Sequence, residues 1–277
     1  MISSIGFMQG RLSPLENGRI QSFPWQNWEN EFFLAQRLNF HLMEWTLDQD
    51  RLYENPLLTE KGQNRILFLC ESHNMKIPSL TGDCFMQAPF WKSEGSLRDE
   101  LERDFIEVVK ACARIGIGML VIPLVDNGRL EIKEHEDILI FFLKKHEALF
   151  RQSNIKILFE SDYIPSELGR FIGRLSLKFF GINYDIGNSA ALGLDPNLEF
   201  NSYGARILNV HVKDRVLGGS TVPLRKGNAN FNLVFSCLKK VNYRGNYILQ
   251  TARANDDNHS GLLAFSRDIT LNYLENA

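Results

Sequence analysis

His211 and Lys213 stand two residues apart at the end of an apolar run, Ile207-Leu208-Asn209-Val210-His211-Val212-Lys213-Asp214-Arg215. Alternate residues of a strand share a face, so the imidazole and the amine leave the chain on the same side. Ionisable groups at the end of a buried strand are costly unless something pairs with them. The ending recurs along the chain: Gln9 with Arg11, Glu44, Asp83, Asp126, Glu160, Asp185 and Gln250 each close or follow an apolar segment. Imidazoles, carboxylates and amide oxygens hold divalent cations, and the first two also take and give protons. One such residue at a strand end is ordinary, because loops and strand ends are often polar. A set that converges is a site.

Convergence depends on the elements. Apolar strands are expected over 4–9, 40–47, 76–81, 119–125, 156–160, 179–184, 207–213 and 246–250. Between them, apolar residues at helical spacing predict helices over 25–38, 60–73, 96–115, 132–151, 165–175, 195–204, 230–241 and 260–273. No linker, repeat or low-complexity stretch interrupts the alternation, so residues 1–277 form one domain. Strands alternating with helices imply a parallel sheet covered on its outer face. Eight such units fit a (β/α)8 TIM barrel, an α/β fold. An open dinucleotide-binding sheet is disfavoured because Gly6 and Gly10 do not complete a G-x-G-x-x-G turn. In a barrel the chemistry gathers at the carboxyl ends of the strands, where the polar endings lie.

Composition narrows the function classes. The chain has 277 residues, enough for a large core. Its apolar and charged shares, 44% and 23%, are those of an ordinary globular protein. A formal charge of -2 gives no field to gather nucleic acid or anionic lipid, so neither is expected as a partner. Cys70, Cys84, Cys112 and Cys237 are scattered, which suggests neither a zinc knuckle nor a disulfide frame. The opening residues lack a basic and apolar leader, and no run spans a bilayer. A reduced, cytoplasmic protein is expected.

Four motifs carry a resemblance: Phe159-Glu160-Ser161, Asn183-Tyr184-Asp185-Ile186-Gly187-Asn188, Asn209-Val210-His211-Val212-Lys213-Asp214 and Ile248-Leu249-Gln250-Thr251-Ala252. In this order they resemble the xylose-isomerase-like TIM barrels, a superfamily of sugar isomerases and epimerases that also includes the endonuclease-IV fold. Gly6-Phe7-Met8-Gln9-Gly10-Arg11-Leu12 and Met43-Glu44-Trp45 are similar to its hexulose-phosphate isomerase and ketose-epimerase branch. The resemblance implies a divalent metal held by Glu160, Asp185 and His211, with Gln250 where a second Glu is expected. Oxygen-rich ligands point to Mn²⁺ or Mg²⁺, with Co²⁺ or Zn²⁺ as alternatives. It implies a small sugar or sugar phosphate as substrate; a homo-oligomer is left open.

Gln250 bears on the reaction. Family epimerases resemble a two-base scheme with both Glu residues as the acid–base pair, and an amide cannot exchange a proton in that way. One-base isomerisation through an enediolate needs only Glu160, which is expected to be the base. Glu44, Lys213, Arg215 and Arg253 are expected to touch substrate. Glu44 could instead be a buried partner of Arg11, and Lys213 a salt-bridge partner of a mouth carboxylate. Asp185 could also cap the following turn. Trp25, Trp45, Phe85 and Trp91 read mainly as core, with Phe85 and Trp91 the better pocket candidates. Arg215, Gly218, Gly219, Arg225, Lys226 and Arg253 could form a phosphate cradle or an ordinary charged surface. Rival functions are a non-catalytic sugar-binding barrel, a keto-sugar dehydratase and an endonuclease-IV-like nuclease; the last would need further mouth histidines.

Overall fold

The computed structural model describes residues 4–276; residues 1–3, part of the stretch read for a leader, and residue 277 lie outside it. Eight parallel strands close into a barrel: β1 (Ile5–Met8), β2 (Met43–Thr46), β3 (Ser79–Thr81), β4 (Met119–Leu124), β5 (Lys156–Ser161), β6 (Phe180–Asp185), β7 (Ile207–Val212) and β10 (Asn246–Leu249). They follow one another round the ring in chain order, and β10 pairs with β1 to close it. Helices between the strands pack on the outside, as a (β/α)8 barrel requires. Every strand lies within two residues or so of its expected span, except β2 and β3, whose first three residues are irregular. No helix among the described residues is long and apolar enough to cross a membrane.

The outer core is aromatic. Trp45 on β2 meets Phe23 and Trp28 at 5.4 and 5.9 Å between ring centroids. Phe105, Phe90 and Phe142 form a second cluster under the helices that follow β3 and β4. The inner faces of β2, β3, β6 and β7 are instead polar near the mouth. Glu44, Ser79, Thr81, Asn183, Asn209 and His211 are all buried there.

Several expected helices differ in detail. The span 25–38 holds a helix only over Asn30–Arg37, because Trp25 and Trp28 belong to an irregular segment that wraps Trp45. The span 132–151 breaks into Lys133–Lys145 and Glu147–Ser153 at His146, whose φ is -104° and ψ 11°. The apolar period runs through that break, so the sequence does not show it. Short elements at the mouth are not legible in the sequence, among them a helix over Asp83–Gln87 after β3. A short helix, Ile186–Leu192, follows β6, and a ribbon pairs β8 (Asp214–Arg215) with β9 (Thr221–Val222) after β7. Both lie at the mouth.

Candidate active site

Strand register brings the site together. Asp185 and His211 are direct partners across the β6–β7 ladder. Glu160, near the end of β5, is reached from β6 by Asn183, whose amide donates to its Oε2 at 2.8 Å. Glu160, Asp185 and His211 each offer an atom to a group whose members all lie within 4.8 Å of one another. It is the one such group of His, Cys, Asp or Glu found among the described residues. Two carboxylates and an imidazole at this spacing fit a divalent cation, with Nδ1 of His211 as the nitrogen donor.

Both ring nitrogens of His211 have polar partners, Nδ1 meeting Asn183 Nδ2 at 3.0 Å. Nε2 of His211 lies 2.6 Å from Oε1 of Glu44, at the bottom of the site. Nδ1 faces upward, 3.1 Å from Oε2 of Glu160 and 3.9 Å from Oδ2 of Asp185. A carboxylate on the far nitrogen holds a metal-ligating histidine in one tautomer and orientation. Burial disfavours the imidazolium, yet Glu44 and Glu160 outweigh it and push His211 up to about 10. Nδ1 therefore sits in a field that favours a cation, whether proton or metal.

Glu44 has no exposed surface, so it is not a substrate contact, and its partner is not Arg11. It accepts from Ser79 Oγ at 2.5 Å, Thr81 Oγ1 at 2.6 Å and Asn209 Nδ2 at 2.8 Å, besides His211. Burial would raise its carboxyl, but His211 and these donors hold it below the usual range. Asn209 also donates to Asn183 Oδ1 at 2.8 Å, which joins Glu44 to Glu160 through two amides. Neither asparagine was read as a site residue. Their signal was present: each sits two residues before Asp185 or His211, hence on the same inward face.

The two readings of Asp185 coexist on its two oxygens. Oδ1 accepts from the backbone N–H of Asn188 at 2.8 Å, which caps the helix Ile186–Leu192. Oδ2 accepts from Lys213 Nζ at 3.1 Å. The same ammonium donates to Gln250 Oε1 at 3.2 Å. The amide oxygen expected among the metal ligands is therefore turned towards Lys213. Lys213 is both a mouth residue and the salt-bridge partner of Asp185.

Above this floor opens a cavity of about 400 Å³ at the carboxyl ends of the strands. Glu160, Gln250, Lys213, Arg215, Asp83 and Asp126 contribute to its wall. Arg215 is anchored, with Nε and Nη2 donating to Gly219 O and Nη1 to Asn188 Oδ1. Asn188 in turn donates to Glu160 Oε1 at 2.6 Å, so both oxygens of Glu160 are fixed by amides. Phe85 and Trp91 do not reach the cavity. Phe85 packs on Phe105, and Trp91 is buried with Nε1 donating to Gly128 O at 3.2 Å. Met86 lines the wall in their place.

Arg253 is also not where the sequence placed it. Its terminal nitrogens donate to the carbonyls of Gly10 and Ser13, stapling the loop after β1 to the loop after β10. It borders a different hollow, of about 940 Å³, between those loops and the β8–β9 ribbon. Arg225 and Lys226 are exposed. Of the two readings of these basic groups, the exposed positions of Arg225 and Lys226 match an ordinary charged surface.

The pattern of the family described as "Xylose isomerase-like TIM barrel" matches residues 32–269. The chain belongs to that family. Among curated proteins, this xylose isomerase-like barrel is similar to L-ribulose-5-phosphate 3-epimerase UlaE of Salmonella heidelberg. The two are 23% identical over 254 residues, which cover 87% of this chain and 88% of the relative. Among solved structures, the IOLI protein with a bound zinc atom superposes with a TM-score of 0.78 at 14% identity, covering 99% of this chain and 98% of that one. D-psicose 3-epimerase, solved in the presence of D-fructose, gives 0.74 at 10% identity, covering 98% of this chain and 99% of that one. At these identities the structural likeness speaks for the barrel.

Proposed function

We propose that this barrel is a metal-dependent sugar or sugar-phosphate isomerase of the isomerase/epimerase type, with Glu160 as the proton-transfer base. The observation that supports it most is the grouping of Glu160, Asp185 and His211 at one end of the barrel, with Glu160 on the wall of a substrate-sized cavity and Glu44 orienting the imidazole. The relatives' names, sugar epimerases among them, agree with that chemistry. Mn²⁺ or Mg²⁺ fits the two carboxylates, and Zn²⁺ or Co²⁺ suits the imidazole equally. Such an ion, when bound, polarises the sugar carbonyl and stabilises the enediolate charge.

The chain's own residues divide the remaining work. Asn183 and Asn188 hold the Glu160 carboxylate in one orientation, facing the cavity from β5. Carbon-to-carbon proton transfer along one face of an enediol needs one base, and Glu160 supplies it. Gln250 takes no proton, which favours isomerisation over two-base epimerisation. Lys213 fixes Asp185 and Gln250 and presents its charge to substrate oxygens. Arg215 narrows the rim.

The test is turnover of a panel of aldoses, ketoses and their phosphates by the Mn²⁺-loaded protein, beside Glu160→Gln. Loss of a positioned base should lower kcat by about 10²–10⁴-fold. A Glu160→Gln variant that isomerises sugar as well as the wild type sinks the assignment. One observation favours a second reading, a non-catalytic sugar-binding barrel: the oxygen of Gln250 is occupied by Lys213. Calorimetry distinguishes them, since sugar binding without Mn²⁺ affinity or turnover belongs to the second alone.

A further inference from the structure

Isomerising an aldose moves two hydrogens. One passes from C2 to C1 and the other from O2 to O1, and Glu160 accounts only for the first. The second needs a group that can both give and take a proton near the two oxygens. Gln250 cannot serve, and the Lys213 ammonium, which already donates to Asp185 and Gln250, has no lone pair with which to take a proton.

Asp83 sits just past β3, on the wall of the cavity that also contains Glu160 and Gln250. Its side chain is 7% exposed, and it shares that cavity with no cation in contact. Among the described residues its carboxyl makes neither a hydrogen bond nor an ion pair. A carboxyl without a protein partner that opens on this cavity is available to whatever enters it. The neighbouring Asp48 shows the contrast: it accepts from Ser22 Oγ, Phe23 N and Gln87 Nε2 and is fully used. The preceding Gly82 leaves no room for a side chain, since a Cβ there would come within 2.5 Å of the Phe85 ring.

We propose that Asp83 is a second catalytic residue, which carries the oxygen-bound proton of the substrate as a carboxylic acid. The proposal rests on the isomerase reading. As Glu160 removes the proton from C2, the Asp83 O–H gives its proton to the carbonyl oxygen on C1, and the enediol forms. Glu160 then returns its proton to C1 while the Asp83 carboxylate takes the proton from the hydroxyl on C2, which becomes the ketone. Both side chains end as they began, with no net proton and no redox partner. Burial, with Asp48 and Glu160 facing it, pushes the Asp83 carboxyl up to about 8 against the opposing pull of His211 and Arg11.

The experiment compares wild type, Asp83→Asn and Asp83→Glu, each Mn²⁺-loaded, on whichever sugar the wild type isomerises. Asp83→Asn keeps the shape but cannot relay a proton. It should lose about 10²–10⁴-fold in kcat with KM changed less than about threefold, while Asp83→Glu recovers at least about tenfold of the loss. Mn²⁺ affinity by calorimetry should stay unchanged in both variants, because Asp83 is not a ligand. Unaltered kcat in Asp83→Asn, no recovery in Asp83→Glu, or a fall in Mn²⁺ affinity each overturns the proposal and leaves the isomerase reading standing. Wild type that turns over no sugar shows instead that the reading itself has failed, and the proposal falls with it.

Discussion

At the scale of single residues, Glu44 does the most for a site it never reaches. It is buried with four donors around it, and its bond to Nε2 turns Nδ1 of His211 towards Glu160 and Asp185. Glu44→Gln would turn an amide N–H towards hydroxyls that now donate to a carboxylate, and would release the ring. Loss of a partner behind a metal ligand costs about 10–100-fold in metal affinity. Breaking a buried charged pair costs about 3–5 kcal/mol of stability. Calorimetric Mn²⁺ titration and urea unfolding measure the two effects, and an unchanged Kd would show that His211 is not a ligand held this way. Asn183 and Asn209 belong to the same inner layer. They were legible only as polar residues inside strands, because their partners lie on other strands far away in sequence.

At the scale of elements, the mouth is built by short pieces that follow the strands. Glu31, on the first helix, accepts from the backbone N–H groups of Gly10 and Leu12 and from Ser13 Oγ, which fixes the loop after β1. Arg253 holds that loop from the other side. The helix Ile186–Leu192 lies directly against the chain at Lys213. A Cβ on Gly187 would come within 2.6 Å of Lys213 Cγ and 3.1 Å of its backbone carbon. The backbone cannot swing away as a side-chain tip can. Gly187→Ala should therefore cost about 1–3 kcal/mol in urea unfolding and lower kcat by displacing the ammonium from Asp185 and Gln250. Wild-type stability in that variant would mean the helix and β7 are less tightly packed than described. The sequence could not show this contact, since a glycine near a strand end reads equally well as a turn.

At the scale of the whole molecule, buried charges at the barrel's centre tie stability to pH. The His211 imidazole is raised from 6.5 to about 10, so its contribution is full below 6.5 and is lost as pH climbs towards 10. The Glu44 carboxyl is lowered from 4.5, so its contribution is present above 4.5 and fades as pH falls below it. Asp83, raised from 3.8 to about 8, loses stability between those two values as pH rises, because its proton favours the folded state. Chelator-treated protein should have its highest urea midpoint on the acid side of neutrality and a declining one from there to pH 10. A midpoint that rises through that alkaline range would contradict the buried His211–Glu44 pair. Added Mn²⁺ should reduce the decline, because a metal on Nδ1 replaces the proton there.

The sequence by itself determined the barrel, because alternating apolar strands and helices can bury their faces in few other ways. A barrel brings the carboxyl ends of its strands to one mouth whatever the loops do, and the family resemblance picked out Glu160, Asp185 and His211 among them. Tertiary structure decided what the loops and long side chains do. Arg253 reads from sequence as a phosphate contact, yet its guanidinium is taken by two carbonyls across the loop after β1. Glu44 reads as a substrate contact, yet it lies beneath the site, where His211 meets it. Asp83 was one polar strand end among several, and only packing left its carboxyl bare beside Glu160. Strand ends are placed by local pattern and closure of the sheet. The partners of a charge are placed by residues distant in the chain, which only the folded barrel brings within hydrogen-bonding range.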